Sequence, residues 1–361
     1  MATAEPTRAD DADPGPVTGP RIRVPAHTAH TATDKADDAT VGAQHTDDCG
    51  TREVETREVE TRENNTRLTR FVDRLRAPFL AHPVIGFTLL SGVLHVVWFF
   101  TFANSGGDLA AQDAWAEFVG RHPDSAYNLA WYGGMHPVSY SVVSPYLMSV
   151  LGVRTTMMIA GTISAGLLTM ILIRSRSVRN PLWASLAGVF ALLCNAASGR
   201  VTYGLGLVFG LGAVAVVFCW PYRWRYKRWA KALCAAPLAA LATMSSPVAG
   251  LFVGLVAVAL FLQKRRPGAW ALGLAPAAVV AVSAWLFPFS GTQPMLFGSM
   301  ILPLASGVIV YFLVPREWKT VRITAAVYSI GVILVWLVSS QIGSNISRLA
   351  MLFAGVALIA A

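Results

Sequence analysis

Acidic side chains almost disappear from this chain after residue 73. Fourteen of its twenty aspartates and glutamates precede Asn65 and another is Asp73; beyond that only Asp108, Asp113, Glu117, Asp124 and Glu317 remain. Charged residues of either sign make up 14% of the chain, against roughly 25% in a soluble globular domain. This scarcity excludes a string of ordinary soluble domains, although 361 residues would accommodate two or three. The formal net charge of +9 therefore comes from the apolar part of the chain, where it marks topology and not a nucleic-acid footprint. Cysteine is scarce too. Cys49, Cys194, Cys219 and Cys234 form no CxxC pair and have no ligand-like spacing to histidine, so neither a metal site nor a disulfide framework is expected. HExxH, P-loop and GxSxG patterns are missing. Gly204, Gly206 and Gly210 have the wrong spacing for a dinucleotide turn; with Gly250 and Gly254 they read as small-xxx-small pairs for close helix packing.

What is present falls into three parts. Residues 1–66 are rich in Ala, Thr, Asp and Pro, with the repeat Thr51-Arg-Glu-Val-Glu, Thr56-Arg-Glu-Val-Glu, Thr61-Arg-Glu. Such a segment buries too little apolar surface to offset its ordering entropy, and a disordered charged tail is expected. No apolar stretch near Met1 resembles a secretory signal. Residues 67–82 open with Arg67-Leu-Thr-Arg-Phe-Val-Asp-Arg-Leu-Arg76, a basic amphipathic stretch suited to anionic headgroups. From Pro83 to Ala361 the chain is a series of apolar runs near the length that spans about 30 Å of hydrocarbon. The fold class is thus all-α, a polytopic transmembrane bundle of about ten helices in a lipid bilayer.

The runs are 83–103, 155–173, 181–198, 203–220, 232–247, 248–263, 269–287, 298–314, 323–340 and 349–361. Only Ser245-Ser246-Pro247 separates the fifth from the sixth. With the N-terminus in the cytoplasm, fourteen basic residues of the connecting loops lie inside and only Arg121, Arg154, Arg200 and Arg348 outside. That satisfies the positive-inside rule at every turn and predicts a multi-pass cell-membrane protein with residues 104–154 as a long outer loop. The last run has only thirteen residues, so the natural protein is expected to continue past Ala361.

Four of the five late acids fall in that outer loop. Gly106 and Gly107 let the chain turn out of the first helix, and Asp108 opens a helical stretch in which Leu109, Trp115, Ala116 and Phe118 form an apolar side suited to the interface. Asp108 reads either as a capping carboxylate or as a functional one. Asp113 and Glu117 read as a solvated i, i+4 face. The later half, Trp131 to Gly152, is aromatic, proline-containing and uncharged, with His136-Pro137 at its centre, and is expected to re-enter or lie along the interface. His95, within the first helix, is expected to be a packed or pore-side histidine without a role. Arg200 and Arg348 read as interfacial snorkelling side chains or as anion ligands.

A first helix, an outer loop opening on an aspartate, a juxtamembrane helix and a Pro/Tyr-rich segment ending in Leu-Gly resemble the GT-C class of membrane glycosyltransferases. The matching residues are His136, Pro137, Tyr140, Leu147, Leu151 and Gly152, with Val138 in place of a second proline. The region 83–361 also resembles actinobacterial integral membrane proteins of unassigned role. The GT-C resemblance implies a polyprenyl-phosphate-linked sugar donor used on the outer face. It implies Asp108, and less directly Asp113, as catalytic acids that deprotonate an acceptor hydroxyl or help hold a divalent cation. Arg200, Arg348, His136 and Glu117 would then be substrate-binding residues.

A transporter of the major-facilitator type is the main rival, and a non-catalytic membrane protein is a third reading. No predicted span carries Asp, Glu, Lys or Arg, which disfavours an ion-coupled carrier. The topology is directly testable. A cysteine replacing Ser125, in a background without the native cysteines, should react with a membrane-impermeant thiol reagent in intact cells. Labelling that requires permeabilisation would reverse the orientation.

Overall fold

The computed structural model describes residues 82–361 except 105, 130–133, 176, 222–225 and 289–290, together with Arg70, Ala77, Phe79 and Ala81. The expected tail at 1–66 and nearly all of the basic stretch at 67–82 lie outside the described residues. Among the described residues the protein is all-helical, with thirteen α-helices and no strand. In chain order they are α1 (Pro83–Thr101), α2 (Leu109–Arg121), α3 (Pro137–Tyr140), α4 (Ser144–Leu151), α5 (Val153–Arg174), α6 (Pro181–Ala197) and α7 (Val201–Phe218). There follow α8 (Arg228–Ser245), α9 (Pro247–Leu262), α10 (Arg266–Leu286), α11 (Phe297–Leu313), α12 (Lys319–Leu337) and α13 (Ser347–Ala360).

Each of the ten expected apolar runs is one helix. α1, α5, α7, α10, α12 and the segment Gly343–Ala360 are long and apolar enough to cross a membrane. α6, α9 and α11 are shorter apolar helices, and α8 begins four residues earlier than expected, taking in Arg228 and Lys231. Six helices begin with proline at their first or second position, where the missing N–H costs nothing and φ is already helical.

The segments that the charge pattern put on one side do share one end of the bundle, here called the loop face. The loop 104–154 docks there on the junction of α8 and α9. Pro247 disfavours helical geometry at Ser246, whose ψ is 119°, so the helix breaks and leaves carbonyls without intrahelical partners. The loop supplies the missing donors. Val142 and Val143 N–H groups donate to the Met244 carbonyl (2.8 and 3.2 Å), and the Ser141 and Ser144 hydroxyls donate to that of Ser245 (2.8 and 2.9 Å). This anchoring accounts for the uncharged, serine-rich character of the segment.

α2 departs from expectation. Its apolar side does not face lipid but packs onto α4, burying Leu109, Trp115 and Ala116, with the Trp115 ring tilted against that of Tyr140 at 4.4 Å between centres. The glycine pairs are also only partly as expected. Side chains at Gly206 and Gly210 would press on Ala249 and Val253 of α9, and one at Gly250 on Thr243; Gly254 faces open space.

Helices α1 and α5–α10 form one packed group, and α11–α13 pack as a second against it through the α6–α13 and α9–α12 seams. Between the seams lies a partly open cavity of about 760 Å3 bordered by α5, α7, α9, α11, α12 and α13. Within the first group, His95 is fully buried where α1 crosses α5, with Nδ1 2.8 Å from the Ser91 carbonyl. A methyl group at Gly161 would sit on the imidazole edge. Gly161→Ala should therefore destabilise the protein by about 1–3 kcal/mol through overpacking. Combining it with His95→Ala should recover part of that loss, as a double-mutant cycle of thermal midpoints in detergent would reveal.

Candidate functional site

Three of the residues singled out from sequence, separated by up to 240 positions, meet at the loop face. Asp108 Oδ2 accepts a hydrogen bond from Arg348 Nη2 at 3.3 Å, and Arg200 Nε lies 3.4 Å from the same oxygen. The Arg200 approach is close enough for charge pairing, but its Nε makes no aligned hydrogen bond. The cluster joins a loop, the start of α7 and the start of α13, and so bridges the two helix groups.

Main-chain packing positions Asp108 and Arg200. The Asp108 N–H donates to the Ser198 carbonyl at 3.2 Å, and the Gly106 and Gly199 backbones touch: a Cβ on Gly106 would lie 2.8 Å from Gly199 Cα. Gly199 has φ +74°, a conformation that L side chains avoid, and a Cβ there would lie 2.8 Å from the Leu109 nitrogen. Asp108 precedes α2 but makes no side-chain cap bond, so its carboxylate serves the arginines and not the helix end.

Arg348 is placed by the turn before it. Gln293 and Ser340 pair antiparallel, and Asn345 Nδ2 donates to Gln293 Oε1 at 3.2 Å. The Tyr328 hydroxyl donates to the Ile346 carbonyl at 3.0 Å. These contacts fix Gly343–Ile346 as a 3-10 turn, from which Arg348 enters the protein with a side chain only 10% exposed, its guanidinium 5.6 Å from the buried Tyr203 ring. Burial first, and the charge of Arg348 second, lower the Arg200 pKa, while Asp108 opposes them. A guanidinium so shifted is still a cation near neutrality. The cluster thus carries one excess positive charge on a partly open surface, Asp108 being 44% exposed.

The other expected site residues lie elsewhere. Asp113 is held by both Nη atoms of Arg154 (3.0 and 3.2 Å), while Arg154 Nε donates to the Ala103 carbonyl at 3.1 Å. That one arginine ties α2 to the end of α1 and the start of α5. Glu117 pairs with Arg121 on an exposed helix face. Asp124 is exposed in the turn beyond. His136 sits in the later half of the loop, with Nδ1 2.9 Å from the Ala126 carbonyl and its ring between Tyr127 and Phe287. It shares no partner with Asp108.

Sequence reasoning missed Tyr203 and Arg154. Tyr203 was legible in principle: it lies three positions after Arg200, hence on the same helix face. Arg154 carried no local signal. The donor set beside Asp108 does not suit a divalent cation, which takes several oxygen ligands; here one carboxylate oxygen is shared by two guanidiniums, and the described residues contain no cluster of three or more His, Cys, Asp or Glu.

No protein-family model, no curated protein and no solved structure matches this chain.

The Arg154 clamp makes its own prediction. Arg154→Ala should lower stability by about 1–2 kcal/mol, since a half-exposed two-point ion pair and a carbonyl contact are lost together. Limited proteolysis should then cut first between residues 104 and 121. A variant that melts and is cleaved like the parent would show that the clamp holds nothing.

Proposed function

We propose that this protein is a GT-C-like membrane glycosyltransferase that moves a sugar from a polyprenyl-phosphate donor at the loop face. The supporting observation is the convergence of Asp108, Arg200 and Arg348 on one oxygen. Two arginines held around a carboxylate form a site whose resident anion can be replaced by a phosphate oxygen, which guanidiniums bind at least as well. With the orientation predicted from the basic loops, this site lies outside the cell at the membrane surface, where a lipid-linked donor presents its phosphate.

The chemistry follows from that exchange. Donor phosphate takes the guanidiniums, and the Asp108 carboxylate is released beside the sugar. The acceptor hydroxyl oxygen attacks the anomeric carbon while the bond from that carbon to the phosphate oxygen breaks. Asp108 takes the hydroxyl proton, and Arg200 and Arg348 hold the negative charge that develops on the leaving phosphate. No step uses a metal. Asp113, which the resemblance also suggests, works through position: its pair with Arg154 fixes the helix that follows Asp108.

The cavity between the helix groups favours a second reading, a transporter, because it opens away from the loop face while the Asp108 cluster bridges the groups at that face. One set of measurements separates the two. Asp108→Asn should reduce transfer roughly a hundredfold or more in purified protein assayed with a panel of polyprenyl-phosphate sugars, the scale of general-base loss. The same variant should bind donor at least as tightly as the parent, since the competing carboxylate has gone, whereas Arg348→Ala should weaken donor binding. Full transfer in Asp108→Asn would end the catalytic assignment, and sugar uptake into proteoliposomes would establish the transporter.

A further inference from the structure

The cavity at the far end of the bundle takes no part in the transferase reading and does not rest on it. Its walls are mostly apolar, among them Leu168, Leu207, Phe252, Val310 and Phe353. It runs from residues at the end of α5 and the start of α12 inward to Tyr328 and Leu349, directly beneath the turn that carries Arg348. The mouth differs sharply from the walls. Arg174, Arg265 and Lys319 border it, with Glu317 as the one opposing charge among the described lining residues, leaving two positive charges in excess. None of these four forms an ion pair among the described residues.

Two of the cations are fixed and not merely nearby. Arg174 Nη1 donates to the Cys219 carbonyl at 3.1 Å, and the Arg265 guanidinium lies 5.7 Å from the Phe218 ring centre. Gln263 and Thr320, hydrogen-bonded at 3.0 Å, brace the α9 and α12 sides of the opening. An apolar hollow of this size holds water poorly and leaves its wall atoms without packing partners. It also falls within the roughly 300–1,000 Å3 range of built ligand sites.

We infer that this cavity binds an anionic membrane lipid, with an acyl chain inserted between α5, α7, α9, α11, α12 and α13 and its phosphate head at Arg174, Arg265 and Lys319. Charge complementarity selects the head, and the apolar depth selects a chain over a soluble anion. With the basic loops in the cytoplasm, the mouth faces the leaflet in which anionic lipids are concentrated. The occupied cavity would wedge the three-helix group away from α5 and α7, which makes the lipid a structural component of the interface.

Trp318 lines the mouth and provides the readout. The full chain is reconstituted in phosphatidylcholine vesicles containing increasing fractions of phosphatidic acid with brominated chains, which quench indole fluorescence on contact. Quenching that is lost in Trp318→Phe should saturate at a mole fraction at least tenfold lower for brominated phosphatidic acid than for brominated phosphatidylcholine. Arg265→Gln with Lys319→Gln, two exposed positions that should not disturb folding, should raise that fraction at least tenfold. Ala354→Phe, which fills the cavity from α13, should abolish the specific component. Equal quenching by the two lipids, or a signal unaffected by Trp318→Phe, overturns the inference. So does displacement by millimolar orthophosphate, which would make the mouth a site for a soluble anion.

Discussion

A backbone carbonyl buried away from water must find its hydrogen-bond partner within the protein, and three helix ends at the loop face meet that demand. The rest of the architecture follows from how those ends are answered. Where Pro247 ends α8, the carbonyls of Met244 and Ser245 are met by the loop 104–154, and this pins the loop to the bundle end instead of leaving it in solvent. Where α6 ends, the carbonyl of Ser198 is met by the N–H of Asp108. The carbonyl of Ala103, at the end of α1, is met by Arg154. The candidate site is assembled largely as a by-product of satisfying helix termini.

The same demand explains what the sequence could and could not convey. Ten apolar runs and an alternating pattern of basic loops were legible because hydrophobic length and charge are summed over many residues, and small errors do not accumulate. All ten are helices, with shifts of a few residues where Arg228, Lys231, Lys319 and Arg322 are carried into the ends. The amphipathic side of α2 was legible, but not its destination. A stripe of Leu109, Trp115 and Ala116 suits lipid or protein equally, and only the docking of α4 decides between them.

The site was legible residue by residue but not as a site. Asp108, Arg200 and Arg348 each stood out as charges at the ends of apolar runs, yet nothing in their spacing says that they converge. That information lies in backbone contacts, above all between Gly106 and Gly199, and in the turn held by Gln293 and Tyr328. Asp113 illustrates the opposite case. Its spacing to Glu117 suggested a solvated pair of acids, whereas its partner is Arg154, 41 residues away.

The shared carboxylate also has a mechanical meaning. Asp108 belongs to a loop and not to a spanning helix, while its two arginines belong to different helix groups. One side chain therefore acts as a latch between two bodies that otherwise meet at the α6–α13 and α9–α12 seams, with the cavity between them. Partly exposed charge pairs weaken as salt rises, since screening over about 8–10 Å competes with the direct attraction. The coupling between the two bodies at that end is thus set by the ions in the surrounding water as much as by the protein. The membrane protein carries, at its surface, a fastening whose grip depends on its bathing solution.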